Sequence, residues 1–113
     1  MRASMRYFEP ILNALVSVMS ANGDGAKQIW ATEFGAPTNG PDGSYVPEAV
    51  QAKMLTRAYE LFRSYQWAGP LFWYAARDQG TDASTREDFY GLLRHDFSAK
   101  PAFDAYRALP AAG

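Results

Sequence analysis

Glu33 stands in IWATEFGAPTNG, residues 29–40, between an apolar run and a stretch rich in glycine, proline and asparagine. A carboxylate at such a junction has two readings. It can pair with a nearby cation, such as Arg77, and hold two loops together. It can instead be fixed by the strand before it and presented to a ligand as a catalytic group. Position and residue type leave both open, because paired acids occur in structural networks as well as in active sites. A second polar group follows in YAARDQGTD, residues 74–82, where Arg77 and Asp78 come just after another apolar run. Tyr74, Arg77 and Asp78 are candidate polar groups at the end of this run, and Asn39 and Tyr45 lie in the loop after Glu33.

Other polar clusters point to less. Acids at 78, 82, 87 and 88 with Gly80 superficially suggest a calcium loop, but their spacing does not follow the EF-hand pattern, so a solvated loop is expected. His95, beside Asp96, is the only histidine and there is no cysteine, which removes a typical zinc site. Neither a metal nor an organic cofactor is expected.

The elements that must hold these residues can be read from periodicity. Ile11, Leu12, Leu15, Val16 and Met19 recur at helical spacing, which predicts an amphipathic helix over about 8–21, packed on a core and ended by the glycines of ANGDG. QIWATEF is too short and too rich in β-branched and aromatic residues for a helix, so 28–34 is predicted as a strand. GAPTNGPDGSY is a loop long enough to do work. Val50, Met54, Leu55, Ala58, Leu61, Phe62 and Tyr65 mark one face of a helix opened by Pro47 and Glu48. A second strand is expected at about 70–76, a partly extended segment in FYGLLRHDF, and a last helix started by Pro101 and stopped by Pro110. Trp30 is expected in the core, and Trp67 at the bottom of the sheet.

Helix, strand, helix, strand, helix implies βαβ units and a parallel sheet. The continuous apolar strands suit a sheet covered on both faces. Working residues gather at the carboxyl ends of such strands, where Glu33 and Asp78 lie. Eleven basic against twelve acidic residues leave no positive field for nucleic acid or an anionic membrane, and neither is an expected partner. Two arginines before an apolar stretch at the start resemble a secretory signal, but Glu9, Pro10 and Asn13 interrupt it, so no signal peptide is expected in this chain. Three Trp, seven Tyr and seven Phe make 15% of the chain, enough for a core and also for a sugar or peptide platform.

IWATEFGAPT, then GPLFWYAARDQGTD, then DFYGLLRHDFSAKPAFDAYR together resemble the last quarter to third of clan A retaining glycoside hydrolases, the cellulase-like family 5 and xylosidase-like family 39 above all. The resemblance runs from about Gln28 to Leu109. It implies an α/β fold, a C-terminal fragment of a (β/α)₈ TIM barrel, with two parallel strands and three flanking helices. Residues 1–113 would then form one partial barrel domain covering strands seven and eight and the last helix. It further implies that Glu33 is the nucleophile and Trp73 the floor under the sugar, with an oligosaccharide or glycoside as substrate and a structural role for the KPA segment. Because side chains alternate along a strand, Trp73 and Tyr74 cannot both face the barrel interior; Trp73 is expected inward and Tyr74 under a helix.

The same resemblance exposes what is absent. A barrel uses roughly 31 of about 250 residues per βα unit, so 113 residues cannot close eight strands. The acid/base Glu of those enzymes follows an Asn, and no Asn-Glu pair occurs here. The chain alone is therefore expected to be inactive or nearly so, with Asp78 only a remote substitute acid. An inert carbohydrate-binding or interaction module, or a truncated product without activity, are the alternatives. Unpaired strand edges lead to an expectation of self-association, or of a partner that supplies the missing part of the barrel. The resembled families are often secreted, which leaves the compartment open.

Overall fold

The computed structural model describes residues 5–111. In order, it contains helix α1 (Met5–Ala21), strand β1 (Ile29–Phe34), helix α2 (Glu48–Arg63), strand β2 (Ala68–Trp73) and helix α3 (Pro101–Arg107), with short 3-10 turns at Pro41–Gly43 and Arg86–Phe89. The strands pair in parallel in one two-stranded sheet, as the alternation of elements predicts.

The helices that cover the sheet are placed by their sequence. Pro47 precedes α2, Glu48 lies in its first turn and Arg63 in its last, charges that complement the helix dipole. Gln51, Leu55, Ala58, Tyr59 and Phe62 form its buried stripe. Leu55 and Phe62 are almost wholly buried, and each such side chain is worth about 1.5–3 kcal/mol relative to exposure. Pro101 opens α3, where a missing amide hydrogen costs nothing. α3 packs on α2, and α2 lies against β2. The core is Leu55, Tyr59, Leu92 and Ala102, with Leu71, Trp73 and Phe103 packed on it.

Three expectations are corrected. The helix over the N-terminal segment forms, but it is not packed on a core: Ile11, Leu15 and Val18 are 64%, 44% and 60% exposed, and α1 packs appreciably on no other element. Residues 1–4 of that segment lie outside the described residues. Trp30 is 60% exposed, because it points away from the helices. The second strand starts earlier and stops earlier than 70–76. Beyond Trp73 the backbone exchanges its partner: Tyr74 N–H still bonds Phe34 O, but Ala75 N–H bonds Tyr90 O and Leu92 N–H bonds Ala75 O. The expected extended character of FYGLLRHDF is confined to this neighbourhood, where Leu93 bridges Arg77 and Ala99.

Only one sheet face is covered. Ile29, Ala31, Phe34, Leu71 and Trp73 are partly or fully buried, whereas Trp30, Thr32, Glu33, Pro70 and Phe72 are exposed on the other side. Continuous apolar strands thus meet helices on one face and present aromatic rings on the other, with Trp30 and Phe72 centroids 6.5 Å apart. No helix among the described residues is long and apolar enough to cross a membrane.

Candidate functional site

Strict alternation would turn Glu33 toward the helices, on the same side as Ala31. The register shows why it does not. Ala31 pairs with Leu71 and Phe34 with Trp73, so three steps along β1 face two along β2, a bulge with one extra residue in β1. Both Thr32 and Glu33 fall on the exposed side, and burial resumes at Phe34. The Glu33 side chain makes no hydrogen bond or ion pair among the described residues. Arg77, its proposed structural partner, instead stacks on Phe97, with its guanidinium carbon 4.2 Å from the ring centroid. The ion-pair reading of Glu33 therefore has no counterpart in the structure.

The segment after Glu33 is pressed against the end of β2. A side chain at Gly35 would collide with the carbonyl oxygen of Tyr74 and come within 3.4 Å of the Tyr90 ring, so the glycine of TEFG is set by close backbone approach. Tyr74 is held from two sides: its ring lies 5.4 Å from that of Tyr90, edge to face, and its hydroxyl accepts a bond from Gln79 Nε2 at 2.9 Å. Burial pushes the Tyr90 hydroxyl above the usual tyrosine range, with the Glu87 charge adding to the effect.

The expected orientations of the two aromatic residues are reversed. Trp73 packs on the helix side, against the core and 5.9 Å from Phe34, and its indole N–H is buried without a hydrogen-bond partner. Tyr74, expected under a helix, leaves that layer. The reason lies in β2, which carries its own extra residue between Ala68 and Leu71 and so puts Leu71 and Trp73 on the core side and Phe72 on the open one.

Asp78 and Asn39 line a different place. Asp78 is 4% exposed. Its Oδ1 accepts bonds from Lys100 Nζ and from Gly91 N–H, both at 2.7 Å. Lys100 also donates to Thr38 Oγ1 at 2.9 Å and to Phe89 O at 3.2 Å, so all three of its ammonium hydrogens are engaged. This lysine opens the KPA segment and ties the loops after β1 and β2 to the start of α3. Gln51 repeats the pattern, donating to Ala36 O and Gly91 O from a fully buried position on α2. Lys100 falls in the KPA segment for which the sequence implied a structural role, whereas Gln51 and Tyr90 were not singled out from the sequence. The only signal for Gln51 is a glutamine on an apolar helix face.

Above the Asp78–Lys100 pair lies a cleft of about 380 Å³ that includes Asn39, Asp78, Phe89 and His95. At its edge Arg94 grips Glu48 through two parallel bonds, Nε to Oε1 at 3.0 Å and Nη2 to Oε2 at 2.6 Å. Asp96 is held below the usual carboxylate range by hydrogen bonds from Ser98. Among the described residues no group of three or more histidine, cysteine, aspartate or glutamate side chains is placed to hold a metal ion.

No family model and no curated protein matches the chain. Solved structures do. A family 39 glycoside hydrolase from Bacteroides cellulosilyticus WH2 is 32% identical over 72% of this chain, with a TM-score of 0.62, and 16% of that protein is covered. A family 5 subfamily 18 protein from Streptomyces cattleya, solved with GlcNAc, is 23% identical over 89% of the chain and 26% of its own length, with a TM-score of 0.57. A β-glucuronidase from Faecalibacterium prausnitzii matches all of the chain at 18% identity, with a TM-score of 0.63 and 20% of its length covered. The chain thus has the fold of part of a glycoside hydrolase (β/α)₈ barrel, and it spans at most about a quarter of the length of these structures.

Proposed function

We propose that this chain supplies the nucleophile of a retaining β-glycoside hydrolase, and that the nucleophile is Glu33. The reading is carried by the bulge in β1, which turns Glu33, without a partner, onto the open face of a glycoside hydrolase-like fold. A carboxylate oxygen of Glu33 attacks the anomeric carbon as the bond to the leaving oxygen breaks. The leaving oxygen takes a proton from a second carboxylic acid, which then removes one from the water that releases the sugar from the covalent intermediate. The two carboxyl groups must stand about 5–5.5 Å apart. In this reading the second carboxyl comes from polypeptide outside these 113 residues, which also covers Trp30 and Phe72 and completes the barrel. Residues 1–113 then act as one partial domain, strands seven and eight with the last helix.

Tyr74 rather than Trp73 is our candidate for the aromatic floor beneath the sugar, since the Trp73 indole is committed to the core. The substrate is an oligosaccharide or simple glycoside. A dinitrophenyl 2-deoxy-2-fluoro-β-glycoside tests the nucleophile alone, because its leaving group departs without acid assistance. The expected result is one fluoroglycosyl mass on the peptide holding Glu33, absent in Glu33→Gln. A label on another residue, or sugar binding with no label at all, would sink the proposal, the latter in favour of an inert carbohydrate-binding module.

A further inference from the structure

The chain has two Asn-Gly steps, Asn22–Gly23 and Asn39–Gly40. An asparagine followed by glycine can react with its own backbone, because glycine has no side chain to crowd the attack. The glycine nitrogen bonds to the asparagine Cγ, the Cγ–Nδ2 bond breaks, and the amide proton leaves with Nδ2 as ammonia. The product is a five-membered succinimide. Water then opens it at the side-chain carbonyl to give aspartate, or at the main-chain carbonyl to give isoaspartate, in which the backbone runs through Cβ and Cγ. Water is the only co-reactant, and no electrons change hands.

Ring closure requires the nitrogen and Cγ to be held together, and the fold treats the two steps differently. Gly40 N lies 2.8 Å from Asn39 Oδ1, so the carboxamide is folded back onto the nitrogen that attacks it, with Cγ one bond from the contacting oxygen. That N–H has no other acceptor among the described residues. At Asn22 the carboxamide is drawn elsewhere: Nδ2 donates to Val18 O at 2.8 Å, one turn back along α1. The Gly23 nitrogen is engaged as well, donating to Ser20 O at 3.4 Å. Asn22 is exposed and Asn39 half-buried, so exposure alone favours Asn22 and geometry favours Asn39.

We propose that Asn39–Gly40 is a self-modification site, at which the folded chain converts Asn39 to aspartate and isoaspartate through a succinimide, in preference to Asn22. Asn39 lines the cleft with Glu48, Asp78 and Asp96, so either product adds a carboxylate to a place that already holds three. The inference does not rest on the nucleophile reading of Glu33, whose side chain takes no part in the reaction.

Mass spectrometry of tryptic peptides tests it, because cleavage after Arg6, Lys27 and Lys53 puts each step on its own peptide, residues 7–27 and 28–53. The purified chain is incubated in mildly alkaline buffer, with and without denaturing urea, and each peptide is followed for the exchange of NH₂ for OH. In the folded chain the 28–53 peptide should convert about tenfold faster than the 7–27 peptide, with fragmentation placing the change at position 39. In urea both steps lose their imposed geometry, and the two rates should come within about threefold of each other. Gly40→Ala is a poor control, since a φ of 149° and an Arg86 Cβ that would stand 2.8 Å away both resist a side chain there. Asn39→Gln serves instead: its longer side chain must close a six-membered ring, so conversion of the 28–53 peptide should stop while that of the 7–27 peptide is unchanged. A folded chain in which Asn22 converts as fast as Asn39, the same rate ratio in urea as in buffer, or continued conversion of the 28–53 peptide in Asn39→Gln would each overturn the proposal.

Discussion

Lys100 Nζ lies 2.7 Å from Asp78 Oδ1, and the two side chains are 1% and 6% exposed. Two charges withdrawn from water this completely are tolerable only because each is paired and further hydrogen-bonded. The pair joins α3 to the loops that follow both strands, so it fixes the geometry of the cleft above it. Lys100→Met leaves Asp78 charged and uncompensated, and should cost about 3–5 kcal/mol in urea unfolding. Replacing both residues, Lys100→Met with Asp78→Leu, should recover part of that loss. A single variant as stable as the parent would mean that the pair contributes nothing.

Gly35 abuts the Tyr74 carbonyl, with no room for a methyl group. Gly35→Ala must therefore push the segment after Glu33 away from the end of β2. A loss of about 1–3 kcal/mol is expected from such overpacking, together with altered near-ultraviolet signals from Tyr74 and Tyr90. An unchanged midpoint of unfolding would show that the two segments separate freely.

Arg94 and Glu48 form a bidentate pair at the surface, with side chains 42% and 32% exposed. Arg94→Lys keeps the charge and loses the fork, so the penalty should be modest, about 1 kcal/mol, and should shrink as salt is added. A penalty indifferent to the choice between Lys and Met would assign the effect to packing of the aliphatic stem instead.

Burial pushes the Tyr59 hydroxyl up to about 12, assisted by the neighbouring Tyr106, while its hydroxyl donates to Leu71 O at 2.9 Å. The folded state thus holds the proton more tightly than the unfolded chain, whose tyrosines titrate near 10. The stabilisation is complete below pH 10 and disappears as pH rises through about 12. Unfolding midpoints should fall over that window, by an amount on the order of 2 kcal/mol for this group. Tyr59→Phe should flatten the dependence while losing the bond to Leu71, and a profile identical to the parent's would assign it to other tyrosines.

Trp30 and Phe72 leave an aromatic surface on the open sheet face, 60% and 49% exposed. Apolar faces and unpaired strand edges of this kind drive association. We expect light scattering to report masses above the monomer that rise with concentration, and Trp30→Lys with Phe72→Glu to return the chain toward monomer. A monodisperse parent chain with a cooperative unfolding transition would count against an interface here.

Much of the architecture was written locally. The stripe from Gln51 to Phe62, the proline at the start of α3 and the short β-rich run of β1 each carry their own period or breaker, so they could be located one at a time. The resemblance to glycoside hydrolases rested on ordered motifs spread along the chain, and the fold comparisons agree with it. What period-two reasoning could not supply was facing. Each strand carries an extra residue relative to the other, and these register shifts decided that Glu33 joins the open face and that Trp73, not Tyr74, enters the core.

The sequence by itself determined which elements exist, their order, and a carboxylate at the end of the first strand, because helix period, breakers and strand composition act over a few neighbouring residues. Only the tertiary structure decided where Glu33 points, that Asp78 is spent on Lys100, and that Arg77 stacks on Phe97. Those outcomes depend on register between strands forty residues apart and on which side chains the packed loops bring within reach of one another, and neither is encoded in any local stretch.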